Sequence, residues 1–273
     1  SGTLDTSWLP NPNSTVFSVH ASQGTGLRVG GASTTISGAT ISFLAQFTVS
    51  SVNLGTGKLT TISATPVSLP ITVNSSVFAI SEQVNTTVTQ GANVFVTDGV
   101  LYLAGGFTQA TDAQNLISQR ARLAAIHITN DSPITVEAWN PGTGGTANHI
   151  QFLNSSTVIP APTIFASGNF SIAGGVARSN LAAFELKSGQ VVPGWDPVVG
   201  GSVFALQLVP ATVSTPALLI AGGNFTSVEG LDFRNLVVLT SLPRDPKNPV
   251  LADASWAPNP IPGPVHALAL SSK

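Results

Sequence analysis

The tripeptides Trp8-Leu9-Pro10, Trp139-Asn140-Pro141, Trp195-Asp196-Pro197 and Trp256-Ala257-Pro258 share a Trp-x-Pro pattern, and an apolar run opens 8 to 11 residues after each. The runs are VFSV from Val16, IQFL from Ile150, VFAL from Val203 and VHAL from Val265. A fifth, VFAI from Val77, follows Ser68-Leu69-Pro70, which reads as a copy that has lost its tryptophan. Positions 8, 68, 139, 195 and 256 are separated by 60, 71, 56 and 61 residues, a period of about sixty. Recurrence on this scale restricts a chain to repeat architectures, because each unit buries its apolar faces only against its neighbours.

Within each unit a second run ends in small residues: LRVGG to Gly31, LYLAGGFT from Leu101, TIFASGNFS from Thr163 and LLIAGGNFT from Leu218. A third follows at LAAI from Leu123, LAAF from Leu181 and LVVL from Leu236, with ISFLAQF from Ile41 as the divergent first copy. Apolar runs of about 4 to 8 residues bounded by Gly, Pro, Asn and Ser signal strands, and no long stretch has helical spacing. Each unit therefore predicts four short strands, the last carrying Trp-x-Pro. The expected fold is all-β, a β-propeller in which each unit is one twisted sheet. The units run 11–70, 71–141, 142–197 and 198–258, with a split fifth made of 1–10 and 259–273. The chain opens inside a fourth strand (LDTSWLP) and closes after a first (VHALAL), which predicts a section of a larger array whose end sheets pair with further repeats of the same protein.

Charged residues are 8% of the chain, against about 25% in typical domains, so hydroxyls and amides must solvate the surface. The net charge is −2 and no basic run occurs, which argues against nucleic acid or anionic lipid as a partner. The chain has no cysteine, which excludes a disulfide framework, a thiolate metal site and a cysteine nucleophile. Pro, Gly, Gln or Thr cut every apolar segment well short of the roughly 20 residues of a membrane helix, so no direct membrane insertion is expected. No signal-peptide pattern is present, and the chain reads as a mature soluble protein or an excised domain.

The segments SGTLDTSWLP with VFSV, GGVARSNLAAFELKSGQVVPGWDP, and LLIAGGNFTSVEG resemble the delta-sixty repeat, a propeller-type repeat of bacterial surface and secreted proteins. That repeat runs roughly Gly-x-Leu-Asp-x-Ser-Phe/Trp-x-Pro, Val-x-Ala-Leu, Gly-Gly-x-Phe-Thr and Arg-x-x-Leu-Ala. The match covers most of the chain, is most specific in the third and fourth units and is weakest in the first unit and over 49–70. GGNFT with its sequons is also similar, less completely, to fungal Rax2-type cell-surface propellers. The resemblance implies an extracellular array with few assigned activities and transfers no catalytic residue; the repeat, the low charge with a hydroxyl-rich surface and the lack of a catalytic constellation lead to the expectation of a non-enzymatic extracellular or cell-surface module for binding, adhesion or structural assembly, with no cofactor.

The Gly-Gly pairs do not read as an anion loop, because such a loop needs a following helix N-terminus and the pair recurs between strands. Glycine there permits a bulge or tight bend, with Phe107, Phe170 and Phe225 expected to plug the space between sheets. The tryptophans could form a sugar-stacking platform, but recurrence at one register favours core residues. The first strands, which would line a central channel, end in His20, Ser81, Glu82, Asn154, Gln207 and Ala269. They contain a single acid, whereas a propeller glycosidase or lyase, the competing reading, needs two acids about 5 to 10 Å apart. A dyad built from the loop acids Asp112, Asp131 and Asp196 is the remaining catalytic route. The four histidines are scattered without metal-ligand spacing. Arg120, Arg122, Arg178 and Arg234 precede third strands and are expected to cap carbonyls or pair with Asp, with an acidic-glycan ring as the functional alternative. Binding candidates are thus His20, Glu82, Asn154, Gln207, Arg178 and Arg234, for a glycan or protein ligand. Sequons begin at Asn13, Asn74, Asn85, Asn130, Asn154, Asn169 and Asn224, of which Asn169 and Asn224 share a register.

Overall fold

The computed structural model describes residues 9–22, 26–50, 63–67, 69–90, 93–129, 133–154, 163–212, 217–240, 251–253, 255–256 and 261–271. Among them the fold is all-β and antiparallel, without a helix. The first sheet contains β1 (Val16–Ala21) and β2 (Gly26–Gly31), then the small hairpin β3 (Thr35–Ile36) and β4 (Ala39–Thr40), then β5 (Leu44–Ser50) and β6 (Ser63–Val67), in the order β1-β2-β5-β6. β7 (Thr72–Val73) leads into the second sheet, built from β8 (Val77–Gln90) and β9 (Asn93–Gly105). A side hairpin of β10 (Gln109–Thr111) and β11 (Ile117–Gln119) pairs with β7, and β12 (Leu123–Thr129) and β13 (Thr135–Val136) complete the order β8-β9-β12-β13.

The third sheet joins β14 (Thr146–Leu153), β15 (Thr163–Asn169) and β18 (Leu181–Glu185), with β16 (Ile172–Ala173) and β17 (Val176–Ala177) as its side hairpin. The fourth joins β19 (Val199–Val209) to β20 (Leu218–Val228), and β20 to both β21 (Leu231–Asp232) and β22 (Leu236–Thr240). In these two sheets the expected fourth strand shrinks to the single bridges Phe184↔Val191 and Leu239↔Ala252. Trp139 and Trp195 do not lie on fourth strands as expected. They sit in the connections to the next sheet, where the flanking proline, which has no N–H to give to a ladder, costs nothing.

The four sheets share one local geometry. Val16 faces Gly31, Val77 faces Gly105, Ala147 faces Gly168 and Val203 faces Gly223, and the register slips after each of these first-strand residues. The third unit's inner run therefore starts at Ala147 rather than at Ile150. The polar Asn148 and His149 conceal the apolar pattern there. A residue just before the third strand is left-handed in every sheet: Phe43, Arg122, Asn180 and Asn235. Its carbonyl accepts the N–H of Gly31, Gly105, Gly168 or Gly223.

A Cβ on Gly168 would run into the Thr146 carbonyl, whereas Gly175 has open space around it and only a φ of 78°. Gly168→Ala is expected to cost more than about 3 kcal/mol, through overpacking against backbone. Gly175→Ala costs only the left-handed penalty of about 1–2 kcal/mol. Urea denaturation followed by circular dichroism checks the order, and equal losses would contradict it.

Between sheets lie the cores. Phe107 packs with Leu44 and Val77 between the first and second sheets, Phe170 with Ala79 and Ile150 between the second and third, and Phe225 with Leu153 and Val203 between the third and fourth. The three phenylalanines are plugs, as expected. Trp139 and Trp195 join the second and third of these cores, fully or nearly buried. Trp139 Nε1 donates to the Glu185 carbonyl and Trp195 Nε1 to the Thr240 carbonyl, each at the end of the next sheet's third strand. Trp8 lies outside the described residues, and Trp256 is 39% exposed, so the core expectation fails for it in this chain.

Residues 261–271 form no strand but are seated on the fourth sheet as β14 is on the second and β19 on the third. Asn235 Nδ2 donates to the Ile261 carbonyl, as Asn180 Nδ2 does to Val199 and Arg122 Nη1 to Thr143. Val265 N donates to the Gly223 carbonyl at 3.0 Å. The five inner segments thereby reach one place.

Candidate functional site

β1, β8, β14, β19 and residues 266–268 line a cavity of about 330 Å³. The bulge explains its lining. Inserting one residue into a first strand re-aims a side chain out of the sheet's alternation, and the inserted residues are Phe17, Phe78, Asn148 and Phe204. All four line the cavity, with His266 at the corresponding place in the last segment. Phe17 and Phe78 meet edge to face with centroids 5.0 Å apart, and Phe204 stacks on His266 at 5.0 Å.

Gln151 Nε2 and Gln207 Nε2 donate to the carbonyls of Phe152 and Leu208. One N–H of each side-chain amide is thus tied to its own strand, and each amide keeps a second N–H and its oxygen for other partners. Asn148 Nδ2 donates across to the Val203 carbonyl. Among the described residues, no Asp, Glu, Lys or Arg lines the cavity. His149 also lines it, and burial pushes its imidazole down to about 4, so it is neutral at physiological pH.

Of the residues nominated from sequence, Gln207 is in this cavity. His20 and Glu82 are brought together elsewhere, between the first and second sheets. Arg28 Nη1 donates to Glu82 Oε1 at 2.6 Å, Ser22 Oγ donates to Glu82 Oε2 at 2.7 Å, and His20 Nε2 lies 3.5 Å from Oε2. The Arg28 and Glu82 side chains are 4% and 2% exposed. Burial alone would raise the Glu82 carboxyl, but the His20 bond, the Arg28 charge and the Ser22 hydroxyl outweigh it and hold the group below its ordinary value. Glu82 therefore does not point into a channel as its strand-end position suggested. It is spent on a cross-sheet ion pair.

Asn154 is exposed at the end of β14, outside the cavity. Arg178 lies 3.6 Å from Asp196, and exposed Arg234 donates to Asp232 at 3.1 Å. Arg120 caps the Gln119 and Glu137 carbonyls, so these arginines follow the capping and pairing pattern. Asp112 accepts from the Gln114 and Leu116 amides of its own loop, and Asp131 lies outside the described residues. No group of three or more potential metal ligands occurs among the described residues.

The structure also sorts the sequons. Asn13 Oδ1 accepts the Thr34 and Thr35 amides while its Nδ2 donates to the Thr34 hydroxyl; Asn74 repeats the clamp on Thr108 and Gln109. Both are structural staples. Asn85 accepts from Gln83, and Asn130 lies outside the described residues. Asn169 and Asn224 are exposed, facing Thr146 and Ser202 across matching ladders.

Sequence reading missed Phe17, Phe78, Asn148, His149, Gln151, Phe204 and His266 as a set. The available signal was the variable position of Val-x-Ala-Leu, aromatic or polar in every unit although the neighbouring alternation would call for a solvent-facing residue. No protein-family model, no curated protein and no solved structure matches the chain. The resemblance to the delta-sixty repeat thus rests on the quoted residues alone.

Proposed function

We propose that this chain is a section of a β-propeller that acts, outside the cell or on its surface, as a non-enzymatic binding or adhesion module. The observation that carries this reading is the uncharged, aromatic and amide-lined cavity where the inner segments meet. Pockets of this make-up bind by stacking and a few oriented hydrogen bonds. The polysaccharide-cleaving alternative needs two facing carboxylates, and among the described residues that line the cavity there is no acid. Assembly with further repeats is supported by exposed Trp256, at 39%. Trp256 N donates to Asp253, a local turn that leaves its ring available to a neighbouring sheet.

A glycan array probed with the purified chain and with Phe204→Ala tests the binding reading. Binding that falls at least tenfold in the variant is the expected result, a loss of about 1.4 kcal/mol. A blank array together with release of reducing ends from polysaccharide would reverse the reading in favour of an enzyme.

A further inference from the structure

Each sheet has a hydroxyl three residues past the glycine that faces its first-strand bulge: Thr34, Thr108, Ser171 and Thr226, counted from Gly31, Gly105, Gly168 and Gly223. In the first two sheets that station is already spent. Nδ2 of Asn13 or Asn74 donates to the threonine hydroxyl, and its Oδ1 accepts the same threonine's amide. In the last two sheets the clamp is gone, because Gly144 and Gly200 stand where Asn13 and Asn74 do, three residues before the bulge. An asparagine appears instead directly after the glycine, as Asn169 and Asn224, where the first two sheets have Ala32 and Gly106. Packing therefore demands no side-chain amide there. Among the described residues the side chains of Asn169, Ser171, Asn224 and Thr226 have no hydrogen-bond partner. All four residues are exposed, whereas Phe170 and Phe225 between them are 4% and 1% exposed. Extended backbone sends residues i and i+2 to one face. Each Asn-Phe-Ser/Thr thus offers its amide and its hydroxyl together to solvent while its phenylalanine plugs the core.

We propose that Asn169 and Asn224 are N-glycosylation sites, which set one glycan at the same station of the third and fourth sheets. Asn-x-Ser/Thr is the acceptor pattern, and its use requires a surface position. Asn13 and Asn74 carry the pattern too, but both atoms of their amides are engaged in the clamps. The proposal shares with the binding-module reading the location outside the cell and nothing else. In the transfer, Nδ2 attacks the anomeric C1 of an oligosaccharide carried on a lipid diphosphate, which the secretory pathway supplies together with the transferase. The C1–N bond forms as the C1–O bond breaks, the diphosphate leaves with that electron pair, and Nδ2 gives up one of its two protons to solvent. The product is a neutral secondary amide. Glycans add hydration to a surface that is poor in charge, since charged residues are 8% of the chain. Neither asparagine lines the cavity, so glycan attachment and cavity binding are separate readouts.

Secretion of the full chain from a eukaryotic host, followed by glycopeptide mass spectrometry, tests this. A glycan is expected on both Asn169 and Asn224, and Asn169→Gln and Asn224→Gln should each remove one glycan mass. Secreted chain that is unmodified at either asparagine overturns the proposal, and the glycan array, run on unglycosylated chain, still decides the binding module. In unglycosylated chain the same two substitutions should leave the melting temperature unchanged. Asn74→Gln should lower it by several degrees, at about 2–4 °C for each hydrogen bond lost from the clamp. An Asn74→Gln chain as stable as wild type would erase the distinction between engaged and free asparagines and overturn the assignment. A further arm needs no secretion. The chain has no cysteine, so Asn169→Cys and Asn224→Cys each create one address for a maleimide-linked disaccharide on the folded protein. Complete labelling with unchanged circular dichroism is expected, and a folded variant that refuses the sugar overturns the site.

Discussion

Arg28→Leu and Glu82→Leu should each destabilise the chain by about 3–5 kcal/mol, while the double substitution should recover most of that loss. Each single change leaves one charge stranded in the seam between the first and second sheets, where the two side chains are 4% and 2% exposed. Arg28 Nε is already without a partner among the described residues, so the guanidinium depends heavily on Glu82. Removing both replaces a costly desolvated pair with apolar contact beside Leu44 and Ile80. Urea denaturation of the wild type, the two singles and the double at pH 7 measures the cycle. Single variants within 1 kcal/mol of wild type would show that the pair is solvated rather than buried.

The pair also sets a pH signature. Glu82 is held below its ordinary value in the folded state, so its stabilisation is fully present above the unfolded carboxyl pKa and disappears as pH falls through the lower folded one. His149 acts in the same direction by a different route. Burial brings its folded value down to about 4, below the ordinary 6.5, so the unfolded chain takes up a proton first and stability declines as pH drops from 6.5 toward 4. Denaturation at pH 7, 5.5 and 4 should show the histidine loss, whereas the Glu82 loss begins only below its unfolded value of 4.5 and is read by extending the series below pH 4, where the Arg28/Glu82 double variant should lack it.

Trp195→Ala should cost about 3–5 kcal/mol, the range for deleting a large buried aromatic. Trp256→Ala should cost well under 1 kcal/mol, as exposed substitutions do. The two share a motif and differ only in surroundings. Trp195 is wholly buried, packs on Phe165 with centroids 4.9 Å apart and donates to the Thr240 carbonyl at 2.9 Å. Trp256 is 39% exposed. Thermal denaturation by circular dichroism reads both effects. Should Trp256→Ala prove as damaging as Trp195→Ala, the ring of Trp256 must be covered in solution by a partner surface, which sedimentation of the same samples would reveal.

The strands, the small residues at their ends and the three phenylalanine plugs were legible because they depend on short-range alternation and on a spacing that recurs. Phe107, Phe170 and Phe225 each stand two residues after Gly105, Gly168 and Gly223, and local geometry carries them to one place in every sheet. Position within the third unit was misjudged by three residues, from Ala147 to Ile150, since Asn148 and His149 break the apolar pattern that marks the other inner strands. The Arg28–Glu82 pair spans 54 residues of sequence, and nothing local announces it. The cavity was illegible for a related reason. A single inserted residue turns Phe17, Phe78 and Phe204 out of the alternation, and whether an extended run bulges depends on the strand it pairs with.

Taken alone, then, the residues dictated an all-β antiparallel chain with glycine at the strand crossings, because alternation and Cβ sterics act over neighbours in sequence. Which tryptophans are buried, which asparagines clamp a turn, where Glu82 spends its charge and which side chains enclose the cavity were decided only by tertiary structure. Burial and pairing are set by groups tens of residues away, and the same tripeptide or sequon acquires a different energy according to what is packed against it.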